Sequence, residues 1–396
     1  MFKDVRPSAI YMGALAAFVG YTASFAIVLA GLRSVGASEA QAATGLFFST
    51  LGMGVCSIWL PAMTRIPAAV AWSTPGAAFL ASTTALPGGF EEAVGAMIIC
   101  AGLILITGFI PSLGRLVAAI PKPVANALLA GVLFNLCLAP AQALGVVPLL
   151  FLPVLVAWLA GLIWHKLAAM PLAMLAFVVV LFSGVELPAG VLALEGQWHP
   201  DLTPFAPIFS LQGAFSIALP LYLVTMAGQN IPGFAVLELN GYAVKRQPMI
   251  RNTGLASFVI APFGAVPVNM SAITAAMMAG EDAGRNPAHR YWAAIVSGLA
   301  YVTLAFVAAP FTALASAAPA ELITGVAGLA LIPALVGSLS GAFPKGGQVE
   351  APALTFLITA SGMTLLGISG AFWGVVAGAV IWGLKGLRQQ GMSGES

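Results

Sequence analysis

Long apolar runs separated by short polar clusters dominate this sequence. Most runs come close to the roughly 20 residues that a helix needs to cross the hydrocarbon core of a bilayer. Charged residues, proline or glycine mark where one run ends and the next begins. The pattern predicts seven spans at 8–32, 41–61, 66–86, 92–111, 123–140, 147–165 and 168–185. After a more polar stretch at 186–207, seven more follow at 209–231, 248–266, 267–280, 290–310, 321–341, 350–366 and 370–386.

This pattern predicts an all-α integral membrane protein with fourteen transmembrane segments. An odd number of spans per half makes the second half enter the membrane from the opposite side, so we expect an inverted repeat. The two repeats would cover residues 1–207 and 208–396. Residues 20–29 resemble residues 228–237, and residues 69–78 (AVAWSTPGAA) resemble residues 265–276 (AVPVNMSAITAA).

The composition agrees with a chain whose main solvent is lipid. Only 7% of its residues are charged and 60% are hydrophobic, whereas about a quarter of the residues of a typical soluble domain are charged. The net charge of +2 is too small and too scattered to indicate a nucleic-acid partner.

The basic residues predict the orientation. With a cytoplasmic N-terminus, only Arg33 of the fifteen Lys and Arg residues falls outside, and the other fourteen lie inside. The first apolar run, from Ala9 to Leu32, is too long for the hydrophobic part of a signal peptide. We therefore expect a multi-pass inner-membrane protein with both termini in the cytoplasm.

Cofactors and catalytic groups are not expected. Cys56, Cys100 and Cys137 lie singly in apolar stretches without metal-type spacing. The three histidines are far apart, and no HExxH pair, nucleophile elbow or phosphate-binding glycine loop is present. The sequence thus predicts neither an enzyme nor a metal protein.

Spans 3 and 10 are interrupted by proline and polar residues. Thr74 can act as an N-cap with Pro75 at the first helical position, so a half-helix would begin near mid-membrane. In span 10, Pro267 would end one segment, and Asn269 or Ser271 would cap the next half-helix. Interrupted backbone is tolerated in a membrane only where protein buries it or a watery cavity solvates it. These two breaks are therefore the predicted site.

Inverted symmetry would point the N-termini of the two half-helices at each other. Free N–H groups and partial positive charge at such a point favour an anion, particularly a carboxylate. Polar Ser73 and Gln229 need partners at that depth. Aromatic side chains that could line the cavity suit a flat aromatic acid, with packing against a neighbouring helix or lipid as the more common role of such residues, Trp72 beside the break excepted: Tyr21, Phe25, Trp72, Phe79 and Phe234.

The position of acidic residues leaves proton coupling open. Glu238 could lie at the cytoplasmic interface, as the nearby Lys245 and Arg246 favour, or it could titrate in the pathway. Asp282 belongs to a charged run at 280–292 that predicts a cytoplasmic turn, with a gating role as the alternative.

Two glycine pairs bear on assembly. The spacings Gly337-x3-Gly341 and Gly374-x3-Gly378 allow two helices to approach closely. They would permit a homodimer, and packing inside one chain is the simpler explanation.

Three stretches resemble one known family. AWSTPGAA (71–78), GQNIPGFAVLELNGY (228–242) and GEDAGRNPAHRYW (280–292) are similar to the benzoate:proton symporter (BenE) family, which is related in fold to nucleobase permeases and sulfate-type anion transporters. The resemblance covers nearly the whole chain. It implies a core domain and a gate domain, each drawn from both repeats, around broken spans 3 and 10.

The resemblance also implies uptake of benzoate or a similar aromatic carboxylate together with a proton. The implied substrate-binding residues are Tyr21, Trp72, Ser73, Thr74, Gly76, Gln229, Asn269, Met270 and Ser271. Nucleobase permeases carry acidic residues in spans 8 and 10, where this chain has amides, so a nucleobase fits less well. Glu238, Asp282 and the substrate carboxylate itself are candidates for the proton carrier.

Symport by alternating access is the resulting hypothesis. Another organic anion or a nucleobase on the same scaffold is the first alternative. A passive anion channel is the second, and it would give flux without accumulation.

Overall fold

A computed structural model describes residues 5–165, 167–185, 202–309, 312–313 and 317–393 of the chain. The first part contains these elements: α1 (Pro7–Thr22), α2 (Phe25–Ser34), α3 (Glu39–Thr64), β1 (Val70–Trp72), α4 (Thr74–Ala81), α5 (Gly89–Phe109), α6 (Pro111–Ala118), α7 (Lys122–Val146), α8 (Pro148–Trp164) and α9 (Ala169–Gly184).

The second part begins with α10 (Leu211–Leu239), a continuous helix that contains two π-helical turns at Ala214–Ala218 and Met226–Asn230. The elements that follow are α11 (Arg246–Ile260), β2 (Val268–Met270), α12 (Ala272–Ala279), α13 (Tyr291–Ala305), α14 (Ala320–Ala342), α15 (Glu350–Ala360), β3 (Thr364–Leu365), β4 (Ile368–Ser369) and α16 (Gly370–Ser393).

Six helices in the described residues are long and apolar enough to cross a membrane. They are Pro7–Ser34, Glu39–Thr64, Gly89–Phe109, Lys122–Val146, Leu211–Leu239 and Ala320–Ala342. Four shorter apolar helices, α8, α9, α15 and the apolar part of α16, accompany them. The chain is a mostly helical, multi-pass membrane protein.

Large apolar side chains on the outer surface fit this environment. On α8, Leu149 is 88% exposed, Ile163 86% and Trp164 77%. A surface of this kind would be unfavourable in water, and it marks contact with a membrane or another protein.

The chain is mostly helical, as predicted, and it also forms two short antiparallel strand pairs that were not predicted. Strands β1 and β2 pair with each other, and β3 pairs with β4. Strand β3 lies inside the predicted span 350–366, whose helix α15 already ends at Ala360, and β4 lies between that span and the next one, 370–386. Span 1 is also interrupted, since α1 and α2 are separated at Ala23 and Ser24.

Helix packing crosses between the two halves of the chain. Helix α13 packs on α3 and on α1, α11 packs on α5, and α14 packs on α7. Glycines allow some of these helices to approach closely. A methyl group at Gly254 of α11 would lie only 2.6 Å from the Cα atom of Leu105 in α5.

The glycines of the two predicted dimerisation spacings are mostly used inside the chain. A methyl group on Gly341 would meet Asn126, and methyl groups on Gly374 and Gly378 would meet Thr359 and Thr355. Only Gly337 of the four has no atom within 4 Å of such a group.

Candidate functional site

The two broken spans cross each other through the strand pair β1–β2. Val70 lies opposite Met270, Ala71 opposite Asn269, and Trp72 opposite Val268. The ladder continues by one bond at each end. The Ser73 N–H donates to the Pro267 carbonyl at 2.8 Å, and the Ser271 N–H donates to the Ala69 carbonyl at 3.0 Å. The chain enters both half-helices directly from this ladder.

Ser73 caps the first half-helix. Its Oγ accepts the N–H of Gly76 at 3.1 Å and shares a 2.8 Å hydrogen bond with Oγ1 of Thr225 in α10. The prediction that Thr74 is the N-cap is therefore wrong. Ser73 still has extended backbone because it belongs to the ladder, whereas Thr74 is already the first helical residue, with Pro75 second. Thr74 is half-buried at this N-terminus.

Ser271 caps the second half-helix, as one of the two predicted alternatives. Its Oγ accepts the N–H of Thr274 at 3.4 Å. Asn269 instead belongs to β2 and is fully buried. With its amide oriented to satisfy both groups, its oxygen accepts from the Ser73 N–H at 3.1 Å and its nitrogen donates to the Met270 carbonyl at 2.9 Å.

The N-termini of α4 and α12 face each other across the strand pair. Ser73 lies level with residue 267 and Ser271 with residue 69, so four strand residues, or roughly 13 Å, separate the two ends. Helix α4 leaves the pair in one direction and α12 in the other. Each end presents N–H groups and partial positive charge toward the middle. An anion is the ligand that this arrangement favours.

Two serines brace the strands from the outside. Ser57 on α3 accepts the N–H of Val70 at 3.1 Å and donates to the carbonyl of the same residue at 3.0 Å. Ser257 on α11 likewise accepts the N–H of Val268 at 2.9 Å, and its hydroxyl lies between the carbonyls of Val268 at 3.1 Å and Thr253 at 2.8 Å. Both serines are buried. Their bonds satisfy backbone groups that the short ladder leaves unpaired.

Aromatic side chains close one side of the strand pair. The Trp72 indole N–H donates to Oγ of Ser24 at 2.7 Å, at the break between α1 and α2. The Tyr21 ring lies 5.4 Å from Trp72 and is stacked on Phe25 at 5.9 Å. Trp72, Tyr21 and Phe25 are at most 2% exposed. The structure thus brings three of the five predicted aromatic residues together beside β1, in a closed site, whereas Phe79 lies toward the C-terminal end of α4 and Phe234 on α10.

Helix α10 contacts both broken spans through its second π-helical turn. Asn230 in this turn accepts the N–H of Met270 with Oδ1 at 3.0 Å and is fully buried. Gln229, the predicted contact, is its half-buried neighbour. A methyl group on Gly233 would lie 2.8 Å from the Met270 Cβ atom, so α10 runs directly against β2.

The predicted proton carriers lie elsewhere. Glu238 is exposed near the end of α10 and pairs with Arg246 through two hydrogen bonds of 2.9 and 2.7 Å. Asp282 is exposed in a 3-10 turn after α12. The nearby Arg290 is buried and donates to the Ala279 and Gly284 carbonyls, so it caps the C-terminal end of α12.

Four polar residues of this region were not predicted as contacts: Ser24, Ser57, Thr225 and Ser257. Each is a small hydroxyl residue within an apolar helical stretch, where it needs a hydrogen-bond partner at membrane depth. That signal is present in the sequence. Many other serines and threonines share it, however, and most bond to a carbonyl of their own helix, as Ser338 does with Ala334.

The residues that the structure describes contain no group of three or more His, Cys, Asp or Glu side chains able to hold a metal ion. The strand pair is lined instead by neutral hydroxyl, amide and aromatic groups. These groups can bind an organic anion by hydrogen bonding and stacking.

Comparison with known structures identifies the fold. The chain is similar to the transmembrane domain of the cyanobacterial bicarbonate transporter BicA, with a TM-score of 0.60, 16% identity and coverage of 96% of this chain and 97% of that one. It is also similar to SLC26A9, with a TM-score of 0.59, 13% identity and coverage of 98% and 66%. At these identities the likeness shows a shared fold.

Sequence comparisons identify closer relatives. The chain is 36% identical over 381 residues to the inner membrane protein YdcO of Escherichia coli, covering 96% of each protein. It is 31% identical over 389 residues to the benzoate membrane transport protein of Acinetobacter baylyi, covering 96% of this chain and 95% of that one. A sequence model of the benzoate membrane transport proteins (BenE) matches residues 3–384. The chain therefore belongs to the BenE family of membrane transporters.

Proposed function

We propose that this protein imports benzoate or a similar aromatic carboxylate together with protons by alternating access. The observation that carries the proposal is the pair of capped half-helix N-termini that face each other across β1–β2, beside a buried aromatic wall. The partial positive charges suit the carboxylate, and Trp72 and Tyr21 suit the ring. The relationship to a benzoate transport protein supports this choice of substrate.

In this proposal the substrate lies between the two N-termini. Ser73, Thr74 and Gly76 contribute the α4 end, and Asn269, Met270 and Ser271 contribute the β2–α12 end. Tyr21, Trp72 and Gln229 flank the ring. Most of these groups are buried in the present arrangement, so it corresponds to a closed site that has to open during transport.

Fourteen spans in two inverted repeats, 1–207 and 208–396, are part of the proposal. The matched bonds from Ser57 to Val70 and from Ser257 to Val268 support it, because each joins the second span of a repeat to the broken third span. Both N-caps lie three residues after the first strand residue. In the structure, Val70 therefore corresponds to Val268. Aligning AVAWSTPGAA with AVPVNMSAITAA by their first residues would instead match Val70 to Val266, two residues earlier.

Alternating access needs two bodies that move relative to each other. We assign the broken spans, with α1, α2 and α10, to a core domain, and α7 and α14, which pack on each other, to a gate domain. Both domains draw on both repeats. The distribution of Lys and Arg supports an inner-membrane protein with cytoplasmic termini.

The substrate carboxylate is the proton carrier that the geometry supports best. The described residues of the strand pair and its caps include no acid or histidine, while Glu238 is held by Arg246 at an exposed end and Asp282 is exposed. A neutral aromatic acid would also be cheaper to move through a site of this kind than an unpaired anion.

Uptake of radiolabelled benzoate into proteoliposomes with an imposed inward proton gradient tests the proposal. We expect accumulation that an ionophore abolishes and that Ser73→Ala reduces. Excess nucleobase or an aliphatic carboxylate should compete poorly. Strong competition by either would reassign the substrate. Flux that persists with ionophore and never exceeds equilibrium would instead identify a passive channel.

A further inference from the structure

A cavity lies between the start of α1 and the turn that follows α12. Its volume is about 410 Å³, which is within the usual range for pockets that bind small ligands. Arg6 and Ser8 line it on the α1 side, and Arg285, Asn286 and His289 line it on the side of the turn. The turn belongs to the charged run 280–292, to which the proposed transport mechanism assigns no role. In the proposed orientation, the cavity lies at the cytoplasmic surface of the membrane.

Hydrogen bonds within the protein fix the shape of this turn. The buried Arg290 donates to the Gly284 carbonyl at 2.7 Å, and the Ser8 hydroxyl joins α1 to the turn by donating to the Ala283 carbonyl at 3.3 Å. Gly284 has a φ of 145°, a conformation that other residues rarely adopt. Because the pocket is already formed, little ordering has to accompany the binding of a ligand.

Two positive charges at this cavity are not neutralised by a neighbouring side chain. Within the part of the chain that the structure describes, neither Arg6 nor Arg285 makes a hydrogen bond or an ion pair. Glu281 and Asp282 belong to the same turn, but they are exposed and are not among the described residues that line the cavity. Guanidinium groups present their N–H donors in a planar fork that matches the oxygens of a phosphate. The cavity therefore favours an anion of the phosphate class.

An exposed apolar surface continues from the cavity along α1. Pro7 lines the cavity, and Tyr11, four residues further along the same face of the helix, is 66% exposed. Ile10 beside it is 49% exposed. A ligand with an anionic head and apolar chains would cover both the cavity and this surface, whereas a free phosphate would cover only the cavity.

We propose that this cavity binds the phosphate of an anionic phospholipid from the cytoplasmic leaflet. Arg6 and Arg285 hold the phosphate from opposite sides of the cavity, and the acyl chains lie along Ile10 and Tyr11. Basic pockets between membrane helices on the cytoplasmic side are typical sites for such headgroups. The bound lipid joins the start of α1 to the turn after α12, so it stabilises the folded protein by mass action.

Thermal unfolding with added lipid tests the proposal. The whole chain is purified in a non-ionic detergent, depleted of lipid and titrated with dioctanoyl phosphatidylglycerol, while tryptophan fluorescence follows unfolding. Dioctanoyl phosphatidylcholine controls for the acyl chains, and inorganic phosphate controls for the free anion. We expect phosphatidylglycerol to raise the melting temperature by several degrees, and the two controls to leave it nearly unchanged.

Substitution of the two arginines links this effect to the cavity. We expect Arg6→Gln and Arg285→Gln each to weaken phosphatidylglycerol binding about fivefold, the effect of losing one basic contact at a membrane surface. Arg285→Lys keeps the charge and should retain most of the binding. Without lipid, the melting temperatures should equal that of the parent, because neither guanidinium bonds within the described residues. Arg115→Gln is the matched control, since Arg115 is exposed, does not line the cavity and bonds only to Ser112 among the described residues.

Equal stabilisation by the two lipids, or parent-like binding of phosphatidylglycerol in both glutamine variants, would overturn the proposal. Inorganic phosphate that stabilises the parent as strongly as phosphatidylglycerol, and fails to do so in the same two variants, would assign the cavity to a free phosphate and overturn the lipid assignment. If one glutamine variant does not fold, the other decides the result. None of these measurements requires transport, so the outcome is independent of the proposed substrate.

Discussion

Ser57 and Ser257 each bind both backbone groups of one strand residue, Val70 and Val268 respectively. The two serines are 200 positions apart in the chain and lie on different helices. Their hydroxyls hold the two strands that cross at the centre of the protein. The strand pair is therefore supported from both sides by the same chemistry.

Removing either brace should destabilise the site. Ser57→Ala or Ser257→Ala leaves a buried N–H and a buried carbonyl without this partner, at a cost of about 1–3 kcal/mol each. We expect a lower melting temperature and a raised KM for benzoate in both variants. Ser340→Ala is the control, because Ser340 is exposed and bonds to a carbonyl of its own helix. Equal behaviour of all three variants would show that the braces are dispensable.

The cap of α4 should depend on Ser73 and not on Thr74. Loss of an N-cap hydroxyl costs about 1 kcal/mol, and Ser73→Ala also removes the bond to Thr225. We expect Ser73→Ala to lower the melting temperature more than Thr74→Ala does, and to reduce benzoate affinity about tenfold, the change that 1.4 kcal/mol produces. Thermal unfolding in detergent and uptake kinetics check both expectations. A larger decrease in melting temperature for Thr74→Ala than for Ser73→Ala would indicate that Thr74 caps α4.

Asn230 should be required for the geometry of β2. Asn230→Leu keeps the branched shape and the number of side-chain heavy atoms, and it removes the acceptor for the Met270 N–H. We expect uptake to fall sharply, because β2 loses its hydrogen bond to Asn230. Among the described residues, no other side chain of α10 bonds to the backbone of β2. Asn240→Leu serves as the control, since Asn240 is exposed and donates to a carbonyl of its own helix. Normal uptake by Asn230→Leu would contradict the positioning role.

Neutralising the exposed acids should leave proton-driven accumulation unchanged. Glu238→Gln breaks an exposed ion pair with Arg246, which is worth about 0–1 kcal/mol. Asp282→Asn alters an exposed turn. We expect both variants to accumulate benzoate to the same ratio under the same proton gradient. A variant that exchanges benzoate but no longer accumulates it would place that acid in the proton pathway.

Close packing between α5 and α11 should make Gly254 sensitive to a single methyl group. Gly254→Ala would bring its Cβ to 2.6 Å from backbone atoms of Leu105, and overpacking of this kind costs about 1–3 kcal/mol. We expect lower yield and an earlier thermal transition. Gly337→Ala is the control, since its methyl group would have no atom within 4 Å. Its stability should be unchanged or slightly raised.

Much of the helical framework was predictable from local pattern. The predicted spans 41–61 and 321–341 match α3 and α14 within a few residues, because a long apolar run has few alternatives in a bilayer. Other boundaries were wrong. Helix α10 continues eight residues past the predicted end at 231, and the short helix α6 was not predicted at all. Hydropathy does not detect where a helix continues beyond the membrane core or turns along its surface.

The sequence by itself determined the membrane class, the family and the location of the two breaks. Proline and polar residues inside apolar runs are local features, and no partner is needed to recognise them. Only the tertiary structure decided that Ser73 caps α4, that Asn269 lies in a strand, and that Ser57, Ser257 and Asn230 hold the strand pair. These roles depend on hydrogen bonds between β1, β2 and the helices around them. A three-residue strand has no periodicity to reveal its register, which is set by a partner about 200 residues away.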